Sequence, residues 1–329
     1  MTSIPRNHQT ILDLALTLKN TNFDMKPTER TLLVLGNKNS GKTTLIHRFF
    51  DKSEKPKPTL ALEYTFARRS GKSLAKDICH VWELGGDAVF KNLLSVIIGK
   101  TEGRCLSIVL VLDLSKLNTI WNTLDNLLEE VFSQLKSLPK IENFNQIDIQ
   151  NNDDKQYMTP LQVPLIIVGS KYDVYQNYEP AKKRIVCQSL RYVAHTYGAS
   201  LLFYSTNEAI LVKRAKEVLS HYGFGTSYSK NYVQDSNKPL FIPAGTDSFD
   251  SIDQLDGNIH LRSMQKYKHL FTTHFKQAPL DAERHSGSVV EDPLNNPNYV
   301  DPVVDEALKK KQEVCTQLYT LNTGVVLLL

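Results

Sequence analysis

The feature that most constrains this chain is a glycine-rich segment, Gly36 to Thr43, which reads Gly-Asn-Lys-Asn-Ser-Gly-Lys-Thr. It matches the pattern G-x-x-x-x-G-K-[ST] at every fixed position. The apolar run at 31–35 predicts a buried strand before it, and residues 44–50 predict a helix with one apolar face after it. This order is typical of a phosphate-binding loop, so the sequence predicts a nucleotide site here. A chance match in an ordinary glycine turn is the alternative.

Each residue type in this segment has a chemical task in such a loop. Glycines permit the tight turn that directs successive backbone N–H groups inward, and the N-terminus of the following helix attracts anionic oxygens. We expect Lys42 to reach the outer phosphates and Thr43 to hold Mg²⁺. The nucleotide-binding residues predicted from the loop are Gly36, Asn39, Ser40, Gly41, Lys42, Thr43 and Thr44.

Composition narrows the partner classes only slightly. The chain has 329 residues, of which 41% are hydrophobic, enough for a substantial core. Its 39 Lys and Arg against 35 Asp and Glu leave a formal charge of +4, too small a surplus to predict nucleic-acid binding. Four scattered cysteines lack metal-ligand spacing, which favours reduced thiols and the cytosol. We see no secretory signal and no apolar run that could span a bilayer, so we expect no membrane insertion.

Apolar periodicity predicts an α/β domain with a mostly parallel, six-stranded sheet and helices on both faces. Together with the glycine-rich loop, this order of elements resembles the Ras-like P-loop GTPase fold. Residues 60–68 and 78–84 are consecutive strands, which suggests a local antiparallel pair, and 239–243 is a candidate for an additional edge strand. The predicted organisation has four parts. An N-terminal helical extension at 1–28, with a helix at 7–19, precedes a GTPase-like domain at 29–225 that contains a surface insertion at 139–163. A C-terminal extension at 226–278 packs on the domain and carries a helix near 264–275, and a disordered tail follows at 279–329.

Two further segments resemble the metal-binding parts of GTPases. His80 to Gly86 resembles the D-x-x-G element, so Glu83 is expected to assist Mg²⁺ and Gly86 to offer a backbone N–H to the γ-phosphate. Residues 58–60 resemble the first switch loop, whose Thr closes over the metal. The predicted metal ligands are therefore Thr43, Thr59 and Glu83. The alternative for Glu83 is that it merely ends a strand.

Base recognition is predicted at residues 169–173, Gly-Ser-Lys-Tyr-Asp, where GTPases carry N-K-x-D. Asp173 is expected to accept hydrogen bonds from guanine N1 and N2, while the stem of Lys171 covers the base. Ser170 replaces the usual Asn, so we expect one supporting contact to be shortened or lost. The segment Ser205-Thr206-Asn207 resembles the S-A-K base loop, although helix N-capping is an alternative role for Ser205 and Thr206. The predicted cofactor is a guanine nucleotide, GTP or GDP, with Mg²⁺ and a structural role.

The residues after Gly86 argue against efficient hydrolysis. Active GTPases place there the Gln that orients the attacking water, whereas this chain has Asp87 and Ala88. A carboxylate beside the γ-phosphate would repel it. We therefore expect nucleotide binding with slow or negligible hydrolysis.

Taken together, the segments at 36–44, 57–64, 82–86, 110–116 and 169–173 resemble the dynein light intermediate chains. The segments at 191–201 and 237–242 point to the branch of that family that belongs to cytoplasmic dynein 2. The resemblance implies a Ras-like fold used as a non-catalytic subunit that binds and stabilises the dynein 2 heavy chain beside other dynein 2 subunits. It further implies retrograde intraflagellar transport, cilium assembly, and indirect contact with intraflagellar transport particles and microtubules.

For this family the resemblance implies a location in the cytoplasm, the cytoskeleton and the cilium, at its axoneme and basal body. The alternative function is a true GTP-dependent switch that recruits ciliary or transport partners when loaded. A P-loop kinase is disfavoured, because we find no Arg-rich lid and no acidic base placed for an acceptor substrate.

Overall fold

The computed structural model describes residues 29–70, 76–86, 93–100, 105–136, 153–229, 231–253, 263–278 and 300–323. The predicted N-terminal helix at 7–19 and Asp87 lie outside these residues. The chain forms two compact units, Met1–Pro279 and Leu280–Leu329. No helix in the described ranges is both long enough and apolar enough to cross a lipid bilayer.

The first unit is built on a seven-stranded sheet with the order β2-β3-β1-β4-β5-β6-β7. The strands are β1 (Glu29–Gly36), β2 (Leu62–Ser70), β3 (Lys76–Leu84), β4 (Leu106–Asp113), β5 (Leu165–Ser170), β6 (Ser200–Phe203) and β7 (Phe241–Ile242). The five inner strands run parallel, and the two outer strands, β2 and β7, pair antiparallel. The predicted antiparallel pair of β2 and β3 is confirmed. The sheet has one strand more than the six predicted, and this strand, β7, lies at the sheet edge within 239–243, the segment predicted as a candidate additional edge strand.

Helices follow most strands, as the apolar periodicity predicts. They are α1 (Lys42–Phe49), α2 (Leu94–Lys100), α3 (Leu117–Lys136), α4 (Tyr172–Tyr175), α5 (Pro180–Thr196), α6 (Ala209–Phe224), α7 (Phe249–Asp253), α8 (Met264–His274) and, in the second unit, α9 (Pro302–Thr323). Gly225 ends α6 with φ 68°, the left-handed conformation in which Gly carries no steric penalty.

Side chains of the inner strands point alternately to the two faces of the sheet and pack into two hydrophobic cores, one on each face. Leu33 and Leu35 of β1 join the core beneath α2, α3 and α5. Leu32 and Val34 enter the core beneath α1 and α6. Because both faces are covered, β4 is buried along its whole length and reads in the sequence as a continuous apolar run.

The C-terminal extension contacts the sheet domain at two helices. The side chain of Arg191 in α5 makes a buried, bidentate pair with Asp247, at 2.8 and 2.7 Å. On α3, Trp121 lies against Phe271 of α8 with ring centroids 5.6 Å apart, and its backbone N–H donates to Gln277. These contacts tie residues of the extension to two helices of the sheet domain.

The surface insertion predicted at 139–163 is wrong for its last part. Residues 137–152 are outside the described ranges, but Met158, Leu161 and Val163 are buried in the core. Asp154, in a short 3-10 helix at Asp153–Tyr157, accepts hydrogen bonds from His195 at 3.0 Å and from the backbone N–H of Phe249 at 2.7 Å. The segment is mostly polar and its three apolar side chains have no regular spacing, so the sequence pattern does not indicate that they are buried.

The disordered tail predicted at 279–329 is wrong for Pro302–Thr323, which forms α9. Asp301 caps this helix by accepting a hydrogen bond from the N–H of Val303 at 3.1 Å, and Pro302 fits the first helical turn, where its missing N–H has no cost. Lys310 and Glu306 pair one turn apart at 2.8 Å. The Asp-Pro start was the signal in the sequence for this helix.

Candidate nucleotide-binding site

The glycine-rich loop forms a tight turn between β1 and α1. Gly41 has φ 90° and Asn39 has φ 60°, so both positions adopt positive φ. At Gly36, with φ 151°, an added Cβ would lie 2.3 Å from the carbonyl oxygen of Val111 on β4, so only Gly fits between the strands. The turn directs the N-terminus of α1 at the space above the loop, where its backbone N–H groups favour an anion.

Lys42 is the buried cation of this loop, with 5% of its surface exposed. Its ammonium group donates to the carbonyl oxygens of Gly36 at 3.0 Å and Asn37 at 2.9 Å. Burial lowers the pKa of Lys42 to about 8, and the nearby charge of Glu83 opposes that shift. A desolvated ammonium held inside a turn of N–H donors is a strong attractor for phosphate oxygens.

The three predicted metal ligands come together beside the loop. Thr43 Oγ1 donates to Glu83 Oε1 at 2.7 Å and lies 3.5 Å from Thr59 Oγ1. Glu83 is buried, which raises the pKa of its carboxyl group, while the hydrogen bond from Thr43 and the charge of Lys42 lower it. Thr59 also donates to Glu63 Oε2 at 3.2 Å.

This donor set fits Mg²⁺ bound together with a nucleotide. In the described part of the chain, no group of three or more His, Cys, Asp or Glu side chains could hold a metal by itself. Mg²⁺ retains several waters and takes one or two carboxylates plus phosphate oxygens, so two hydroxyls and Glu83 are an adequate protein share. Thr43, Thr59 and Glu83 would hold the ion, which would neutralise phosphate charge.

The predicted base-binding residues form a network of their own. Asp173 accepts hydrogen bonds from Ser205 Oγ at 3.0 Å and from Asn207 Nδ2 at 3.1 Å. Lys171, at φ 58°, is fixed by an ion pair of 2.5 Å with the buried carboxylate of Asp113 at the end of β4. The carboxylate and the lysine stem are therefore both held in place at the carboxyl edge of the sheet.

Ser170 contacts the phosphate-binding loop through its hydroxyl group. Its hydroxyl lies 2.6 Å from the carbonyl oxygen of Ser40 and 3.0 Å from that of Leu112, and it can donate its proton to one of them at a time. The serine side chain at the end of β5 therefore reaches the phosphate-binding loop directly. The hydroxyl of Ser40 itself is buried without a hydrogen-bond partner.

The structure gives less support to a binding role for two of the predicted residues, Thr206 and Thr44. Thr206 Oγ1 donates to Asn207 at 3.5 Å, and Thr44 is half-buried in the first turn of α1. The alternative role of Ser205 and Thr206 as N-caps is wrong, because α6 begins at Ala209 and Glu208 occupies the cap position without a side-chain hydrogen bond.

Sequence reasoning missed three contributors: Asn37, Glu63 and Asp113. Asn37 Nδ2 donates to Thr123 Oγ1 of α3 at 2.5 Å, which anchors the loop to that helix. Glu63 lies opposite Glu83 in the β2–β3 register. Counting back from the predicted strand pairing could have found Glu63, whereas the other contacts depend on where loops from separate strands meet.

Gly86 packs directly on the phosphate-binding loop. A Cβ added there would lie 1.9 Å from the backbone nitrogen of Lys38 and 2.4 Å from the carbonyl carbon of Asn37. The segment after β3 and the loop after β1 therefore meet backbone to backbone, and no side chain fits between them.

Comparison with known proteins places the chain in one family. The model of the dynein light intermediate chain (DLIC) family matches residues 10–157 and 141–282. Cytoplasmic dynein 2 light intermediate chain 1 of Bos taurus is 40% identical over 308 residues, covering 87% of this chain and 86% of that protein. The Homo sapiens protein of the same name is 41% identical over 299 residues, covering 84% of each.

More distant matches agree with this placement. Cytoplasmic dynein 1 light intermediate chain 1 of Rattus norvegicus is 25% identical over 279 residues, covering 70% of this chain and 53% of that protein. A crystal structure of the conserved domain of a dynein light intermediate chain superposes with a TM-score of 0.56 at 16% identity, covering 74% of this chain and 89% of that one. That likeness supports the mixed α/β fold alone. From the family match and the 40% identity, we conclude that this chain belongs to the dynein light intermediate chain family.

Proposed function

We propose that this chain is a non-catalytic light intermediate chain subunit of a cytoplasmic dynein 2 motor. The observation that carries the proposal is the identity of 40–41% with dynein 2 light intermediate chains over most of both sequences, against 25% with the dynein 1 chain. In this role the chain binds and stabilises the dynein 2 heavy chain beside the other dynein 2 subunits. It thereby serves retrograde intraflagellar transport and cilium assembly, in the cytoplasm, the cytoskeleton and the cilium.

We further propose that the site between β1, β3 and β5 binds a guanine nucleotide with Mg²⁺ as a structural cofactor. Three arrangements support this: the buried ammonium of Lys42, the Thr43–Glu83 hydrogen bond beside Thr59, and the fixed carboxylate of Asp173. A ligand that binds the native state alone stabilises it in proportion to RT ln(1 + [L]/Kd). The nucleotide then acts on folding rather than on signalling.

The scaffold role is favoured over a GTP-dependent switch by residue chemistry at the γ-phosphate end. Asp87 follows Gly86 in the sequence where a Gln would orient the attacking water, and a carboxylate cannot replace that amide. The ligand-binding groups also hydrogen-bond to one another, through Thr43, Glu83 and Thr59 at one end and Asp173 and Ser205 at the other.

Affinity capture from ciliated cells tests the proposal. The full chain is tagged, and dynein heavy chains and any bound nucleotide are identified by mass spectrometry. We expect the dynein 2 heavy chain, little dynein 1 heavy chain, and GDP or GTP at up to one per chain. Capture of the dynein 1 heavy chain alone, or of neither heavy chain, would contradict the dynein 2 assignment.

A measurement on the purified chain tests the nucleotide role separately. The chain is incubated with GTP and Mg²⁺, and phosphate release is followed alongside thermal unfolding. We expect stabilisation by GTP and GDP with release far slower than that of a competent GTPase. Lys42→Ala should lose the stabilisation, and Lys38→Ala, which removes an exposed lysine of the same loop, is the matched control.

A further inference from the structure

The sheet ends in an exposed strand, β2, with an aromatic surface. Within the described residues, β2 pairs with β3 alone and occupies one end of the strand order. Its nine residues contain no Pro and no Lys, two residue types that commonly keep an edge strand from pairing, and its charged residues are Glu63, Arg68 and Arg69. Tyr64 is 44% exposed and Phe66 is 49% exposed. Their rings stack 6.2 Å apart, and Trp82 of β3 lies 4.7 Å from Tyr64.

The direction of the backbone groups on this strand is fixed by one hydrogen bond. Gly85 N–H donates to the carbonyl oxygen of Ala61 at 2.7 Å, and the two residues continue the β2–β3 register. Since backbone groups alternate sides along an antiparallel strand, those of 61, 63, 65, 67 and 69 face β3. The groups of Leu62, Tyr64, Phe66, Arg68 and Ser70 therefore point away from the sheet.

We propose that this edge binds a second copy of the chain, with the two β2 strands antiparallel about a two-fold axis at Phe66. In this register every outward backbone group of the strand meets an outward group of the other copy. The side-chain pairs are also complementary. They are Phe66 with Phe66, Tyr64 with Arg68, Thr65 with Ala67 and Glu63 with Arg69.

Charge selects this register over its neighbours. Glu63 and Arg69 are exposed, and the two-fold axis makes their opposite-charge pair twice. If the axis lies at Thr65, Arg69 is opposite Ala61, and if it lies at Ala67, Arg69 is opposite Thr65. In both registers the charge pair is lost. Centring it on Arg68 places like charges opposite each other, which is unfavourable.

Tyr64, Phe66 and Arg68 lie on one face of β2, and they add apolar and cation–π contacts on that face of the joined sheets. Arg68 already lies 5.3 Å from the ring of Phe66 in its own chain. Across the axis the same guanidinium faces Tyr64 of the other copy, and the two Phe66 rings meet. A surface that is hydrogen-bonding, apolar and self-complementary in charge fits a copy of itself.

Cysteine cross-linking of the full-length chain tests the register. Phe66→Cys places two thiols across the axis, where Cα atoms of a hydrogen-bonded pair lie about 5.5 Å apart, within disulfide range. Arg68→Cys is the matched control, since its two copies are four residues out of register, roughly 13 Å apart along the strands. We expect a covalent dimer from Phe66→Cys under mild oxidation, and only the background of the unaltered chain from Arg68→Cys. Equal cross-linking of both variants would overturn the register.

A charge swap tests the association itself by sedimentation velocity. Arg69→Glu alone and Glu63→Arg alone should each raise the dimer dissociation constant at least tenfold, because each places two like-charge pairs across the axis. The double variant Glu63→Arg/Arg69→Glu recreates both pairs and should return the constant to within about threefold of the starting value. A chain that stays monomeric at every concentration, or a double variant no better than the single ones, would contradict the proposal.

Discussion

Thr43 of the glycine-rich loop donates a hydrogen bond to Glu83 at the end of β3, across 2.7 Å. This bond joins the loop after β1 to the neighbouring strand, and Thr59 approaches the same hydroxyl from the segment before β2. Three separate parts of the chain therefore meet at one point. The proposed metal would bind at that point, so removing the metal or mutating one of these residues should change the thermal stability of the chain.

Glu83→Gln tests the metal site. Gln keeps an acceptor for Thr43 but removes the negative charge, so the added thermal stability that Mg²⁺ gives in the presence of GDP should disappear. Stability without Mg²⁺ should change little. Thermal unfolding with GDP, with and without Mg²⁺, measures the difference. Glu54→Gln is the control, because Glu54 is an exposed carboxylate outside the site. A Mg²⁺ increment that survives Glu83→Gln would show that this carboxylate does not serve the metal.

Lys42 should make the stability of the ligand-free chain depend on alkaline pH. Its pKa is lowered from 10.5 to about 8 in the folded state, chiefly by burial. Below about pH 8 both states hold the proton, so this group adds no pH dependence. Between about pH 8 and 10.5 the folded state loses the proton while the unfolded state keeps it, so stability rises with pH.

The comparison with Lys42→Met isolates this effect. The free energy of unfolding of the unaltered chain, measured by urea at several pH values, should gain up to about 3 kcal/mol relative to Lys42→Met across that window. The other titrating groups are common to both proteins and cancel. A difference that stays constant from pH 7.5 to 10.5 would mean that Lys42 is not desolvated.

Ser170→Ala should weaken the link between β5 and the phosphate-binding loop. The change removes the hydroxyl that approaches the carbonyl oxygens of Ser40 and Leu112, at a cost of about 1–2 kcal/mol in unfolding free energy. Ser189→Ala is a matched control, because the Ser189 side chain is 0% exposed and its hydroxyl has no hydrogen-bond partner. The free energy of unfolding measured by urea should therefore be clearly lower for Ser170→Ala than for Ser189→Ala. Equal values for the two variants would refute the role of Ser170.

The sequence predicted those parts of the fold that have local signals. The apolar run of β4, the glycine stop after α6 and the meeting of Thr43, Thr59 and Glu83 all follow from spacing or motif. Contacts between loops of different strands, such as Asn207 with Asp173, have no local signal, because they depend on how two strand ends are placed.

Arg191→Met tests whether the C-terminal extension is fixed to the domain. It leaves the buried carboxylate of Asp247 without its bidentate partner, which should cost about 3–5 kcal/mol. Lys182→Met, on the same helix, removes only an exposed pair with Glu179 and should cost under about 1 kcal/mol. Urea unfolding and limited proteolysis at 226–253 measure both effects. Similar costs for the two variants would contradict the anchoring role of Arg191.

We propose that this chain serves its motor as a scaffold whose nucleotide is structural. A binding experiment with two nucleotides tests this role: the amount of dynein 2 heavy chain bound by the purified chain is measured when the chain is loaded with GDP and when it is loaded with a non-hydrolysable GTP analogue. We expect equal binding to within about twofold, because the nucleotide supports the fold in both states. Binding that requires the GTP analogue and falls at least tenfold with GDP would instead establish a switch.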